Sequence, residues 1–296
     1  MLIVIGVLTM IRLAKPRYSC EEAVDECVNG ITGDALLRQK LTDSKQDLTT
    51  IEASYLEAIV NCTAHTIEPI NNTRRDQDPV AINTLKKSEM IKIYDQYFVP
   101  KAKPARKIYD ALLNAAKEKC PFCGGIGTPH NLDHFLPKTY FPQFSILPSN
   151  LVPACRDCNM GGKAHAYATS AEDQIIQPYA DNEQFFIEQW IYATYNEVPS
   201  DEPGEFEYYT SPPNTWSDVD KQRVRKHFDD FNIARRYATK AAELLGITLA
   251  QMKLVKQEGL DNQQIITALL QPGIENAPFV NHWQSSMFQA LINSLL

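Results

Sequence analysis

With 296 residues, 44% of them hydrophobic, the chain is long enough to bury a substantial core, as one or two helical domains around a small module. Its formal charge of −7 argues against a polyanion partner drawn by bulk charge, and seven cysteines in this setting imply reduced thiols and a cytoplasmic location. The apolar opening Met1-Leu2-Ile3-Val4-Ile5 through Ile11 is too short to span a bilayer and lacks the charged start of a signal peptide, so no membrane role is expected. Met1 and Met10 both stand as candidate starts, and the opening otherwise reads as a buried strand.

In chain order, Ser19-Cys20-Glu21-Glu22 has the spacing of a capping box and Gly30 offers a stop, which predicts a short first helix. Over 34–65, Leu36, Leu37, Leu41, Leu48, Ile51, Tyr55, Leu56, Ile59 and Val60 recur at helical intervals, with a break at Asp43-Ser44. The polar stretch 70–79 reads as a loop, 80–98 as a helix, and the prolines between 100 and 104 separate it from a helix ending near Lys119. Further on, the aromatic segments 184–195 and 205–209 predict strands, or a strand and a helix, on either side of a turn at 199–204. From Ser217 a long amphipathic helical region runs to Leu245. Val224, Phe228, Phe231, Ala234, Ala238 and Leu245 form its apolar stripe, decorated by Arg223, Arg225, Lys226, Arg235 and Arg236. A last helix over 278–296 presents Trp283, Phe288, Leu291 and Leu295 as a docking face. No internal repeat or low-complexity tract is present.

The middle of the chain carries the chemistry. Cys120-Pro-Phe-Cys123 and Cys155-Arg-Asp-Cys158 are two Cys-x-x-Cys pairs with 31 residues between them, the spacing by which two tight turns aim four thiolates at one structural Zn²⁺. A redox pair is the alternative, and the lack of a thioredoxin-like βαβ pattern disfavours it. Cys20, Cys27 and Cys62 have no ligand spacing and are expected to pack as small apolar groups. Between the pairs stands Leu132-Asp133-His134-Phe135, a strand-like stretch that offers a hard oxygen ligand beside an imidazole that can be neutral near pH 7. His130 and His165 read as surface or loop histidines.

From Cys120 to His165 the chain resembles the HNH endonucleases, whose core is two strands and a helix around one divalent ion. Asp133-His134 is similar to the family's Asp-His pair, Asn150 in Pro148-Ser149-Asn150-Leu151 to its central Asn, and Asn159 to the third motif residue. Asn159-Met-Gly-Gly-Lys163 is similar to the family's helix entry, and the outer cysteines to those of its zinc-bearing members. Many members have His where Asn159 stands, and an amide with a carboxylate suits Mg²⁺ or Mn²⁺. The resemblance implies a ββα-metal core with a structural four-cysteine zinc site, placed at 105–170; with the helix-rich flanks read above, a helical region at 1–104 and an acidic then helical region at 171–296, the chain is expected to be an α+β, predominantly helical protein. It also implies hydrolysis of DNA phosphodiesters, with His134 as general base, Asp133 and Asn159 as ligands of the catalytic Mg²⁺ or Mn²⁺, and Asn150 orienting the His134 loop. Lys163 or Arg156 would contact a phosphate.

Charge is unevenly spread: 171–220 holds twelve Asp or Glu and no Lys or Arg, while 86–119 holds nine basic residues against four acidic ones and is the expected backbone-tracking surface. The general layout also resembles PtuB-like effector nucleases of bacterial anti-phage systems, which work beside an ATPase. Such a partner would bring an acidic chain to DNA. Two other readings stay open: a non-catalytic zinc module that binds nucleic acid or protein, and an HNH nuclease that cleaves RNA such as tRNA.

Overall fold

Ser19 starts the first helix by reciprocal capping: its Oγ accepts the Glu22 N–H at 3.2 Å while the Glu22 carboxylate accepts the Ser19 N–H at 2.8 Å. The computed structural model describes residues 12–71, 77–163, 166–198 and 204–296, so the candidate starts, the opening strand and His165 lie outside the described residues. Helix α1 spans Cys20–Gly30, α2 Ala35–Asp43 and α3 Lys45–Val60. The break between α2 and α3 falls at Ser44, which is fully buried and donates its Oγ–H to the Lys40 carbonyl at 2.8 Å. Leu37, Leu41, Leu48, Tyr55 and Ile59 face inward, whereas Leu36 and Val60 from the same stripe face solvent. Cys20 and Cys27 are buried in α1.

The helix expected over 80–98 is shorter than its pattern suggested. Val80–Ile82 (β1) and Leu85–Lys86 (β2) pair as a small antiparallel hairpin, and helix begins only at α4 (Lys87–Ile93), continuing as a wide π-helical turn over Tyr94–Phe98. Asn83 makes the hairpin: it adopts the left-handed region at φ +50°, which Asn tolerates and which ends any helix. Helix α5 (Arg106–Ala115) likewise stops before Lys119, because Lys117 and Glu118 both take positive φ and turn the chain toward Cys120.

Strand β3 (Asn131–His134) pairs antiparallel with β4 (Leu151–Ala154), with Asp133 opposite Val152 and His134 opposite Leu151, and α5 packs against both. A second π-helical segment, Asp157–Lys163, follows β4. These elements belong to one compact unit, Leu13–Pro121 with Gly127–Asp181. Within it the basic segment is largely matched internally: Lys92 with Asp34, Lys107 with Glu26 and Arg106 with Asp110, each at 2.8 Å, while Lys103 donates to the Gly30 carbonyl at 2.9 Å.

The other compact unit comprises Arg12, Phe122–Ile126 and Asn182–Leu296. After the short α6 (Gln184–Ile187), β5 (Ile191–Asn196) and β6 (Glu205–Thr210) pair antiparallel and alternate as one-sided strands do. Ile191, Ala193, Phe206 and Tyr208 turn inward toward α8 (Ile233–Gln257) and α11 (Trp283–Leu295). The long helical region of the sequence is two helices, α7 (Asp218–Asp230) and α8, split where Asn232 takes φ +49°. Arg223, expected on the solvent side, is fully buried, with its guanidinium 4.8 Å from the centre of the Phe185 ring and 3.6 Å from Asp220. The proposed docking face on the last helix is also corrected: Phe288 and Leu291 are buried, because α11 covers β5. Two short helices, α9 (Asn262–Ile265) and α10 (Gln271–Glu275), link α8 to α11. Helices dominate, and three two-stranded antiparallel sheets complete an α+β protein among the described residues. No described helix is long and apolar enough to cross a membrane.

Candidate functional site

The first cysteine pair sits on a loop closed by the Cys120 N–H to Gly127 carbonyl bond at 2.9 Å. Gly124 and Gly125 follow Cys123 at φ +59° and +81°, the left-handed turn that brings the chain back. A Cβ on Gly124 would stand 2.1 Å from the Tyr237 hydroxyl, so the turn needs glycine for space as well as for backbone angle. The second pair follows β4 directly, and the Cys155 N–H points at Cys120 Sγ at 3.4 Å. The four sulfurs of Cys120, Cys123, Cys155 and Cys158 are buried and lie within 4.8 Å of one another. A tetrahedron with Zn–S distances of about 2.3 Å has sulfur edges of roughly 3.8 Å, so four convergent thiols at this separation fit one zinc ion. The cluster can hold a structural metal, which agrees with the zinc-clamped module read from the sequence.

On β3, Asp133 and His134 are nearly buried, yet both line a cleft of about 350 Å³ together with Tyr94, Asp95, Lys138 and Asn159. His134 places Nε2 2.9 Å from the Ser145 carbonyl oxygen. A carbonyl only accepts, so the ring proton sits on Nε2 and Nδ1 carries the lone pair. Burial pushes the imidazole down to about 3; the Ser145 bond opposes that shift, and the charges of Lys138 and Lys163 add to it. The ring also meets Tyr94 edge-on, with centroids 4.4 Å apart. His134 is thus held neutral and in one tautomer.

Asn150 is fully buried at the end of the loop that leaves β3. Its Oδ1 accepts the Leu136 N–H at 2.8 Å, and its Nδ2 donates to the carbonyls of Leu136 and Phe144, both at 3.1 Å. Since Ser145 follows Phe144, the amide also fixes the carbonyl that orients His134.

Lys163 and Arg156 depart from the roles expected of them. Lys163 is 5% exposed, its Nζ lies 3.2 Å from Asp133 Oδ2, and it donates to the His134 carbonyl. Burial lowers the pKa of its ammonium while Asp133 holds it up. It neutralises Asp133 and is not placed to reach a phosphate in solution. Arg156 is exposed and does not line the cleft. Sequence reasoning passed over two residues that do line it, Asp95 and Lys138: Lys138 Nζ lies 2.5 Å from Asp95 Oδ1 and 4.6 Å from the centre of the Tyr94 ring. Lys138 stands four residues after His134, beyond the motif; Asp95 lies on a distant helical turn, where nothing in the local pattern marks it.

No family model matches the chain. No solved structure matches it either. Protein ea31 of Escherichia phage lambda is 34% identical over 300 aligned residues, a likeness that extends over 96% of this chain and 98% of that protein. Shared identity at that level through nearly the full length of both proteins places this chain in the same family as phage lambda protein ea31.

Proposed function

We propose that the chain is a metal-dependent phosphodiesterase of the HNH type that cleaves DNA in the cleft beside β3. The observation that carries the reading is the shared cleft: Asp133, His134 and Asn159 line it, and His134 offers the lone pair of Nδ1 because Nε2 is committed to Ser145. His134 accepts a proton from water as the water oxygen bonds to phosphorus. The bond from phosphorus to the 3′ oxygen then breaks, and the leaving oxygen takes a proton from solvent. Asp133 and Asn159 are the side chains that would hold Mg²⁺ or Mn²⁺; one carboxylate and one amide oxygen suit a hard cation that keeps several waters. When bound, such an ion supplies charge neutralisation at the phosphate. Lys163 and the β3 backbone hold Asp133 in place.

An imidazole pushed down to about 3 is a weak base, which the same geometry explains. Burial secures the neutral form at working pH, and an anionic phosphate arriving in the cleft favours the protonated ring, raising its basicity at the moment of use. The strongly acidic stretch 171–220 repels nucleic acid and supports the further proposal that a partner protein, an ATPase in the systems the layout resembles, delivers the substrate.

The test is incubation of the purified chain with Mg²⁺ or Mn²⁺ and supercoiled DNA, single-stranded DNA or tRNA, with His134→Ala as control. The expected result is cleavage of DNA, reduced about 10²- to 10⁴-fold in the variant, whose circular dichroism and zinc content stay those of the parent. Cleavage of tRNA alone moves the substrate to RNA. A parent inert on every substrate, or a His134→Ala variant with full activity, removes the enzyme reading and leaves a zinc module that binds without catalysis.

A further inference from the structure

A cleft that acts on phosphodiesters needs a cation for the phosphate, and neither basic residue expected from the sequence is placed to serve. Lys163 is held inside by Asp133, and Arg156 does not line the cleft. Lys138 does line it. Its side chain is 26% exposed, its ammonium is paired with Asp95 at 2.5 Å, and it lies 4.6 Å from the centre of the Tyr94 ring, the same ring that contacts His134. We propose that Lys138 is the phosphate-binding cation of this cleft, and that Asp95 holds it in reserve until a phosphodiester takes the place of the carboxylate. This assignment rests on the phosphodiesterase reading above.

Three physical features support the exchange. Asp95 is half exposed, so its carboxylate returns to water at little cost when it is displaced. The ammonium is a compact point charge suited to a phosphate oxygen, and the Tyr94 face keeps it positioned while one anion replaces another. The Tyr94 ring that Lys138 faces at 4.6 Å also meets the His134 ring edge-on at 4.4 Å, and all three line the cleft, so a phosphate held by Lys138 is near the base. Until the exchange, Asp95 presents negative charge at the cleft and opposes an incoming phosphate.

The experiment measures fluorescence anisotropy of a short labelled single-stranded DNA, and of RNA of the same sequence, over a salt series, with full-length protein carrying His134→Ala to block cleavage. Lys138→Ala is expected to weaken binding about 10-fold and to reduce the slope of log affinity against log salt by about 0.7, the loss of one phosphate contact on a single strand. Lys138→Arg should keep the slope, and Asp95→Asn should tighten binding several-fold. Unchanged affinity and slope in Lys138→Ala overturn the assignment of Lys138, and weaker binding by Asp95→Asn overturns the reserve role of Asp95. A His134→Ala parent that binds neither strand overturns the phosphodiester reading itself.

Discussion

The ammonium of Lys163 lies 3.2 Å from the carboxylate of Asp133, and both side chains are almost completely buried. A pair so enclosed contributes little net stability when intact, because both charges were taken from water. Breaking it leaves one charge buried alone. Lys163→Met is therefore expected to destabilise the protein by about 3–5 kcal/mol, and the double variant Lys163→Met, Asp133→Leu to recover much of that loss. Urea unfolding of both variants measures it. A single variant as stable as the parent would show that the pair does not form.

The thiol cluster makes a separate prediction about metal content. Cys155→Ser removes one of four ligands, so the purified variant should lose bound zinc by elemental analysis, and a strong chelator should have the same effect on the parent. A stability loss of about 3 kcal/mol corresponds to a drop in Tm of roughly 5 °C for a chain of this size. Zinc retained at one ion per chain in Cys155→Ser would count against the cluster as the ligand set.

Two buried histidines predict how stability depends on pH. His134 and His227 are each pushed down to about 3, first by burial, and each donates from Nε2 to a backbone carbonyl, Ser145 and Phe122 respectively. In the unfolded chain both titrate near 6.5. Between those values the unfolded chain binds more protons, so their contribution is complete above pH 6.5 and declines as pH falls toward 3. The slope is about 1.4 kcal/mol per pH unit for each ring. Urea midpoints between about pH 7 and pH 5 should fall accordingly, and His227→Gln should flatten the slope by roughly half. An unaltered slope in that variant would exclude His227 as a source.

Gly124 tests the turn that carries Cys123. Gly124→Ala places a methyl 2.1 Å from the Tyr237 hydroxyl, which is itself bonded to the Asn281 carbonyl at 3.1 Å and cannot swing away freely. The expected cost is about 2–3 kcal/mol, of which about 1 is the left-handed backbone angle. Tyr237→Phe in the same chain should relieve the steric share and leave the backbone share, which thermal melts of the three variants would separate. Equal melts for Gly124→Ala and the parent would mean that the turn is not packed as described.

Features that depend on neighbouring residues were readable in the sequence. The capping box at Ser19, the break at Ser44, the aromatic strand at 205–209 and the two Cys-x-x-Cys turns are each set by a few consecutive side chains and the backbone they act on. Elements whose ends depend on a single residue in the left-handed region were misread: Asn83, Lys117 and Asn232 turn the chain where the hydrophobic period alone would continue a helix.

By itself, the sequence marked the four cysteines whose cluster could hold a metal, and Asp133, His134, Asn150 and Asn159 as the chemically notable residues, since spacing and residue type are written there. Only the tertiary structure decided what their charges and protons do. It buried Lys163 against Asp133, committed Nε2 of His134 to Ser145, turned Arg223 and Phe288 inward, and set Lys138 and Asp95 in the lining of the cleft. The physical reason is that a side chain's type is a local property, whereas its burial, partner and protonation are fixed by segments distant in sequence that arrive only when the core closes.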